Sequence, residues 1–256
     1  MRKVIIDTDG NLEALKAIEL VVDAEDVELV AITTVASSLS ILQTTSNVLN
    51  KLKSLNCDVP VYKGASMPIS KASNEIKLDK HEIYGDEILE TNENMNAVDV
   101  LINNCDDVEI ISMGPLTNLA LALSKSRDKF LKVKKVTILG GTVFYGDVSL
   151  MSEYNFYYDA VAADAVLKSG IDLLILPIDV GDYSTRMKLA LYPELIKKKY
   201  ESYTRVEVDG DITYGASVND VRDRNREEFV SQSNVMHPFD CVLVLDNAEE
   251  EISMEV

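Results

Sequence analysis

Short apolar runs rich in β-branched residues alternate along this chain with longer stretches in which apolar residues recur every three or four positions. The short runs occupy residues 3–7, 27–33, 60–62, 108–112, 136–139 and 173–177 and read as strands. The longer stretches occupy residues 12–22, 41–55, 116–124 and 159–169 and read as helices with one apolar stripe each. Strand and helix in regular alternation predict an α/β fold, an open Rossmann-like core with a mostly parallel central sheet and helices on both faces. From about Arg205 the rhythm changes to short strand-like runs with turn signals at Asp209-Gly210 and Tyr214-Gly215, which predicts extra strands or a hairpin at the C-terminal end. Residues 242–246 read as a last strand. No shift of composition marks a seam, so the 256 residues read as one domain.

In an open parallel sheet, ligands bind beyond the carboxyl ends of the strands, which directs attention to the polar residues just after Ile6, Thr33, Ser112 and Leu139. Composition narrows the partners. A formal net charge of −18 repels phosphate backbones and anionic membrane surfaces, and the one basic cluster is the run of lysines at residues 197–199, so neither nucleic acid nor membrane is expected as a partner. Cys57, Cys105 and Cys241 are an odd number with no CxxC spacing, as expected of reduced thiols in the cytosol. The chain enters a strand at once from Met1 and no apolar run reaches spanning length, which points to a cytoplasmic protein.

The first strand ends in chemistry. Asp7, Asp9 and Glu13 surround Gly10 at a strand-to-helix turn, so three carboxylates can converge beyond the sheet edge. An all-oxygen cluster suits calcium or magnesium, and a hard cation there would lower the pKa of a bound water whose proton a carboxylate could take. Acidic residues at a helix start also complement its dipole and cap free N–H groups, which explains Glu13 more readily than Asp7.

Two families begin in this way. The run Asp7-Thr8-Asp9-Gly10 resembles the first-strand motif of haloacid-dehalogenase-like phosphatases, which implies Asp7 as nucleophile. The longer run through Leu12-Glu13 is similar to the calcium-binding Asp-x-Asp-Pro-Gly-x-Asp-Asp segment of nucleoside hydrolases. The remainder of the chain resembles nucleoside hydrolases in order and spacing: residues 30–36 and 58–65, then Gly114-Pro115-Leu116-Thr117-Asn118-Leu119-Ala120-Leu121-Ala122-Leu123, then Ser152-Glu153-Tyr154-Asn155-Phe156-Tyr157-Tyr158-Asp159-Ala160, then residues 205–222. Within the decamer, Gly114 and Pro115 break a strand and set up a helix start, and a scaffolding role accounts for these residues.

The resemblance implies N-glycosidic hydrolysis of a ribonucleoside. It implies Asp9 as the catalytic base, Asp7, Asp9, Glu13 and the Met113 carbonyl around calcium, and Ser38, Tyr84, Glu153 and Asn155 against the substrate. A homo-oligomer is implied as well. A carboxylate and an amide two positions apart can bind adjacent hydroxyls. The chain also departs from the family pattern. Leu12 replaces an Asp that grips ribose hydroxyls, and losing a hydrogen bond to a charged group costs roughly 1.5–3 kcal/mol, about ten- to hundred-fold in binding. Glu13 replaces a shorter Asp, Ser37-Ser38 replace Gly-Asn, and Tyr84 stands where a His often faces the leaving base. No His-Asp pair occurs, the two histidines being His81 and His237. These departures leave two readings open: an active but slowed hydrolase, its calcium loosened or lost, or a catalytically impaired homologue that binds a nucleoside, sugar or protein without turnover.

Overall fold

The computed structural model describes residues 1–70, 83–91, 93–149 and 152–193 together with the backbone of four later strands. Six strands, β1 (Arg2–Thr8), β2 (Val27–Thr34), β3 (Val61–Lys63), β4 (Glu109–Met113), β5 (Lys135–Leu139) and β6 (Leu173–Leu176), form one sheet in the order β3-β2-β1-β4-β5-β6. All of its pairings are parallel. The helices are α1 (Leu12–Val22), α2 (Ile41–Ser54), α3 (Ala97–Asn103), α4 (Thr117–Phe130), α5 (Tyr154–Tyr158), α6 (Ala160–Leu167) and α7 (Tyr183–Leu191). The predicted α/β layering is what the chain adopts.

Alternation along the strands fills two cores. In β1, Val4 and Ile6 pack with Ala14 and Ile18 of α1, Val48 of α2 and Met187 of α7, whereas Ile5 packs with Leu101 of α3, Leu119 of α4 and Ala162 of α6. Each fully buried aliphatic side chain contributes roughly 1.5–3 kcal/mol relative to exposure, so both faces of the sheet hold the helices against it. The topological switch lies between β1 and β4, where the strand order reverses direction, and the ends of these two strands open onto the site.

Strand β2 carries a bulge that the sequence pattern does not reveal. Val4 pairs with Leu29 but Ile5 pairs with Ala31, so Val30 is an extra residue. The insertion rephases the end of β2 and brings Thr33 level with Asp7. In a parallel pair, residues in register project to the same face, and a one-residue slip would turn Thr33 to the opposite side.

Several boundaries differ from the sequence expectation. The helix predicted over residues 159–169 is α6: Asp159 has non-helical backbone (φ −137°, ψ 75°), caps it and separates it from α5, which the sequence pattern does not predict. Helix α4 passes the predicted end at residue 124 and runs to Phe130 across a break at Ser126. Strand β3 begins after Pro60, whose carbonyl still accepts from Ile32 N–H at 3.0 Å. The predicted hairpin exists as β7 (Thr204–Val208) paired antiparallel with β8 (Asp211–Gly215), so Asp209-Gly210 lies between the strands while Tyr214-Gly215 falls inside one. The predicted last strand is β9 (Val242–Asp246), and β10 (Glu251–Glu255) pairs antiparallel with it. His81, Cys241, His237 and the lysines at 197–199 lie outside the described residues. No helix among those described is long and apolar enough to cross a membrane.

Candidate active site

Asp7 is completely buried one residue before the end of β1. Its Oδ1 accepts from Thr33 Oγ1 at 2.6 Å and from Asn118 Nδ2 at 2.7 Å, while its Oδ2 is buried without a hydrogen-bond partner. Burial pushes its carboxyl up from 3.8 to about 6, and the two hydrogen bonds oppose that rise. The Thr33 contact is a product of the β2 bulge. The Asn118 contact depends on close packing: the amide also donates to Thr34 O at 3.0 Å and accepts from Ala65 N–H at 2.8 Å. A Cβ on Gly64 would stand 2.3 Å from Asn118 Oδ1 and 2.4 Å from Thr34 O, so only glycine fits.

Asp9 follows on the same turn and is 2% exposed. Its Oδ2 accepts from Ser37 Oγ at 2.9 Å and Asn11 Nδ2 at 3.4 Å, and its Oδ1 from Asn11 N–H at 3.3 Å. Thr44 Oγ1 donates to the Asp9 carbonyl at 3.0 Å and ties the turn to α2. On the other side the loop after β4 comes so near that a Cβ on Gly114 would lie 2.9 Å from Asp9 N. Met113, the last residue of β4, is buried and pairs with Thr8, which leaves its carbonyl at the strand end beside this turn.

Glu153 and Asn155 come from the loop beyond β5. Glu153 is 3% exposed and caps α5: its Oε1 accepts from Asn155 N–H at 3.0 Å, its Oε2 from Phe156 N–H at 3.2 Å and from Gly141 N–H at 2.8 Å. Burial raises its pKa and the three backbone donors hold it down. Asn155 is buried; its Nδ2 donates to Tyr183 Oη at 2.9 Å and to Leu139 O at 3.4 Å, and its Oδ1 has no partner.

Two phenols connect the halves. Tyr183 is buried, and burial first, then the negative charges of Asp9 and Glu153, drive its hydroxyl far above the usual tyrosine range. Tyr154 is raised by burial and by Asp9, and its hydroxyl has the Ser37 and Ser38 side chains as neighbours without a hydrogen bond of sound geometry. Asp7, Asp9, Ser37, Ser38, Glu153, Asn155, Tyr154 and Tyr183 therefore share one polar cluster at the carboxyl edge of the sheet.

Two expected members stand outside it. Glu13 lies on the first turn of α1, whose buried face is Ala14, Leu15, Ala17, Ile18 and Val21, so its carboxylate is exposed and complements the helix start. Among the described residues no three acidic, histidine or cysteine side chains gather as a metal-holding group. Tyr84 is turned away because its backbone is bound to α2: its N–H donates to Asn47 Oδ1 at 3.0 Å and its carbonyl accepts from Asn50 Nδ2 at 3.3 Å. Its hydroxyl reaches Ser54 Oγ at 3.5 Å. Ser54 is ten residues beyond Thr44, about 15 Å along the helix from the contact with Asp9. Asn118 and Tyr183 are among the residues that the sequence reading leaves out. Asn118 sits inside the decamer read as scaffold, and Tyr183 opens a helix announced by its Asp182 cap and by buried residues at 183, 187, 190 and 191.

A hard cation fits this cluster in part. Asp7 Oδ2 is a buried oxygen donor without a partner, which is the signature of a group built to meet a ligand. Asp9 and the Met113 carbonyl add oxygen donors of the kind calcium takes, fewer than the six to eight that it prefers.

Comparison with known proteins identifies a family. Residues 4–198 match the family model described as inosine-uridine preferring nucleoside hydrolase. The non-specific ribonucleoside hydrolase RihC of Escherichia coli O1:K1 is 30% identical over 203 residues, covering 75% of this chain and 67% of that protein. Among solved structures, a plant nucleoside hydrolase, the PpNRh1 enzyme, superposes with a TM-score of 0.60 at 28% identity over 70% of this chain and 60% of its own. The chain thus spans less than two thirds of the plant enzyme. A purine-preferring ribonucleoside hydrolase from Gardnerella vaginalis superposes with a TM-score of 0.69 over 90% of this chain and 96% of its own; at 19% identity the likeness is one of fold. The phosphatase likeness stops at the four residues Asp7 to Gly10.

Proposed function

Since the chain belongs to the inosine-uridine preferring nucleoside hydrolase family, we propose that it hydrolyses the N-glycosidic bond of a ribonucleoside with Asp9 as general base. The observation that carries this reading is the presence of two buried acceptors without partners, Asp7 Oδ2 and Asn155 Oδ1, in the same cluster as Asp9. A buried unsatisfied acceptor costs about 1–3 kcal/mol, a cost that a bound ligand removes. A sugar brings hydroxyl donors to such atoms.

Asp9, oriented by Ser37 and Asn11, takes the proton of a water that attacks the anomeric carbon as the base departs through an oxocarbenium-like transition state. Asn155, Glu153 and Ser38 hold sugar hydroxyls. Because Glu153 is already committed to three backbone donors, it adds its charge and remaining lone pairs, and its clamp on Gly141 sets the floor of the site. Asp7, Asp9 and the Met113 carbonyl are the residues that would hold a calcium ion, which would supply a water of lowered pKa. Glu13 stays outside that set in its present position. The comparisons do not favour an impaired homologue, and the retained Asp7, Asp9 and Asn155 supply the acceptors that hydrolysis needs. A cytosolic homo-oligomer completes the reading; the free thiols of Cys57 and Cys105 accord with a reducing compartment.

Release of free base from inosine and uridine, followed with calcium and with EDTA, tests the proposal. Turnover that falls at least a hundredfold in Asp9→Asn is expected. No release from any common ribonucleoside at high protein concentration, or full activity of Asp9→Asn, overturns it.

A further inference from the structure

The side-chain amide of Asn155 has its hydrogens spent inside the protein. One goes to Tyr183 Oη at 2.9 Å and the other to the Leu139 carbonyl at 3.4 Å. The reversed amide would set its oxygen against the Leu139 carbonyl oxygen with no proton between them, so this carbonyl selects the orientation. What remains is Oδ1, buried and unpartnered. Tyr183 is firmly placed. Its helix is capped by Asp182, whose Oδ1 accepts from Thr185 N–H at 2.8 Å, and α7 packs on α1. The Arg186 guanidinium lies 4.4 Å from the Tyr183 ring centroid. Burial first, then the charges of Asp9 and Glu153, keep the phenol protonated, so it accepts from Asn155 as a neutral hydroxyl.

We propose that Tyr183 is a positioning residue that fixes Asn155 as a pure acceptor, so that the ligand atom opposite Asn155 must be a hydroxyl able to donate. This deepens the nucleoside-hydrolase reading and rests on it: the sugar is admitted at this point by a proton, not merely by an oxygen. A fluorine or a methyl ether accepts without donating, and meets Asn155 Oδ1 as an acceptor against an acceptor. Tyr183→Phe frees one amide hydrogen and leaves the amide held only by the 3.4 Å bond to the Leu139 carbonyl, so the side chain can turn its freed N–H towards the ligand and offer a donor beside the acceptor.

Calorimetric binding tests this with a C-nucleoside, whose base is joined to the sugar by a carbon–carbon bond that cannot be hydrolysed. Each sugar hydroxyl is replaced in turn by hydrogen and by fluorine. In the wild-type protein, fluorine at one position is expected to weaken binding about tenfold, as much as hydrogen does, because both remove the donated bond. In folded Tyr183→Phe the preference for hydroxyl over fluorine at that position is expected to shrink at least threefold. Fluorine tolerated at every position by the wild type overturns the proposal, as does a folded Tyr183→Phe that keeps the full preference. The wild-type comparison decides even if this variant does not fold. Failure of the wild type to bind the parent C-nucleoside at all overturns the hydrolase reading and this inference with it, an outcome distinct from binding without the expected preference.

Discussion

Replacing Asp7 by Asn is expected to make the protein more resistant to unfolding as the pH rises, relative to the wild type, while removing its function. Burial lifts the Asp7 carboxyl from 3.8 to about 6. The folded state therefore binds its proton more tightly than the unfolded chain, and stability falls as pH rises between these values. The interval corresponds to about 3 kcal/mol, present below pH 4 and lost above pH 6. Asn carries no such charge, but it buries an NH2 group where Oδ2 lacked a partner, a pH-independent cost of about 1–3 kcal/mol. The variant should thus be less stable than the wild type near pH 4 and equal or more stable at pH 7.5, the difference moving by about 3 kcal/mol. Urea unfolding with EDTA, repeated from pH 4 to 7.5, measures it; for a domain of this size the change amounts to about 6–12 °C in Tm. A stability difference that stays flat across this range refutes the argument that Asp7 is held in the fold against its own charge. With calcium added, the wild type should recover stability by mass action and Asp7→Asn should not.

Substitutions at four further positions probe separate links. Gly64→Ala forces Asn118 off Asp7 and should cost about 1–3 kcal/mol by overpacking as well as most of the activity, read by melting and base release. Glu153→Ala strips the acceptor from three backbone N–H groups and should lower stability by at least about 1–3 kcal/mol, whereas Glu153→Gln, which keeps an oxygen, should lose clearly less. Glu13→Ala should leave calcium affinity and turnover within about twofold, because that carboxylate faces solvent, a surface change of small effect. Tyr84→Phe should likewise leave turnover within about twofold, since among the described residues its hydroxyl reaches Ser54, away from Asp9.

The sheet and most of its helices were legible in the sequence because the strands are short apolar runs and each of the predicted helices carries an apolar stripe. Asp7 stood out because a carboxylate directly after an apolar strand has no surface to go to. The pairing of Asp7 with Thr33 was not legible: it depends on a bulge at Val30, and an apolar run gives no sign of where it slips by one residue. Asn118 was hidden by its company, an amide inside a strongly helical decamer whose spacing alone explains the segment. Tyr84 and Glu13 were placed by neighbouring words in the sequence, yet the side chains follow the backbone: Asn47 and Asn50 hold Tyr84 along α2, and Glu13 lies on the solvent side of α1. Tyr183 could have been found from Asp182 as a helix cap and the spacing that follows, but nothing in that pattern shows that its hydroxyl meets Asn155.

A crystal structure of the protein with calcium and a non-hydrolysable C-nucleoside tests the central claim most directly. The account predicts a sugar whose hydroxyls lie within hydrogen-bond distance of Asn155 Oδ1, with its anomeric carbon facing Asp9 and Asp7 Oδ2 no longer without a partner. A sugar bound elsewhere on the molecule, or one that leaves both buried oxygens as they are, contradicts it.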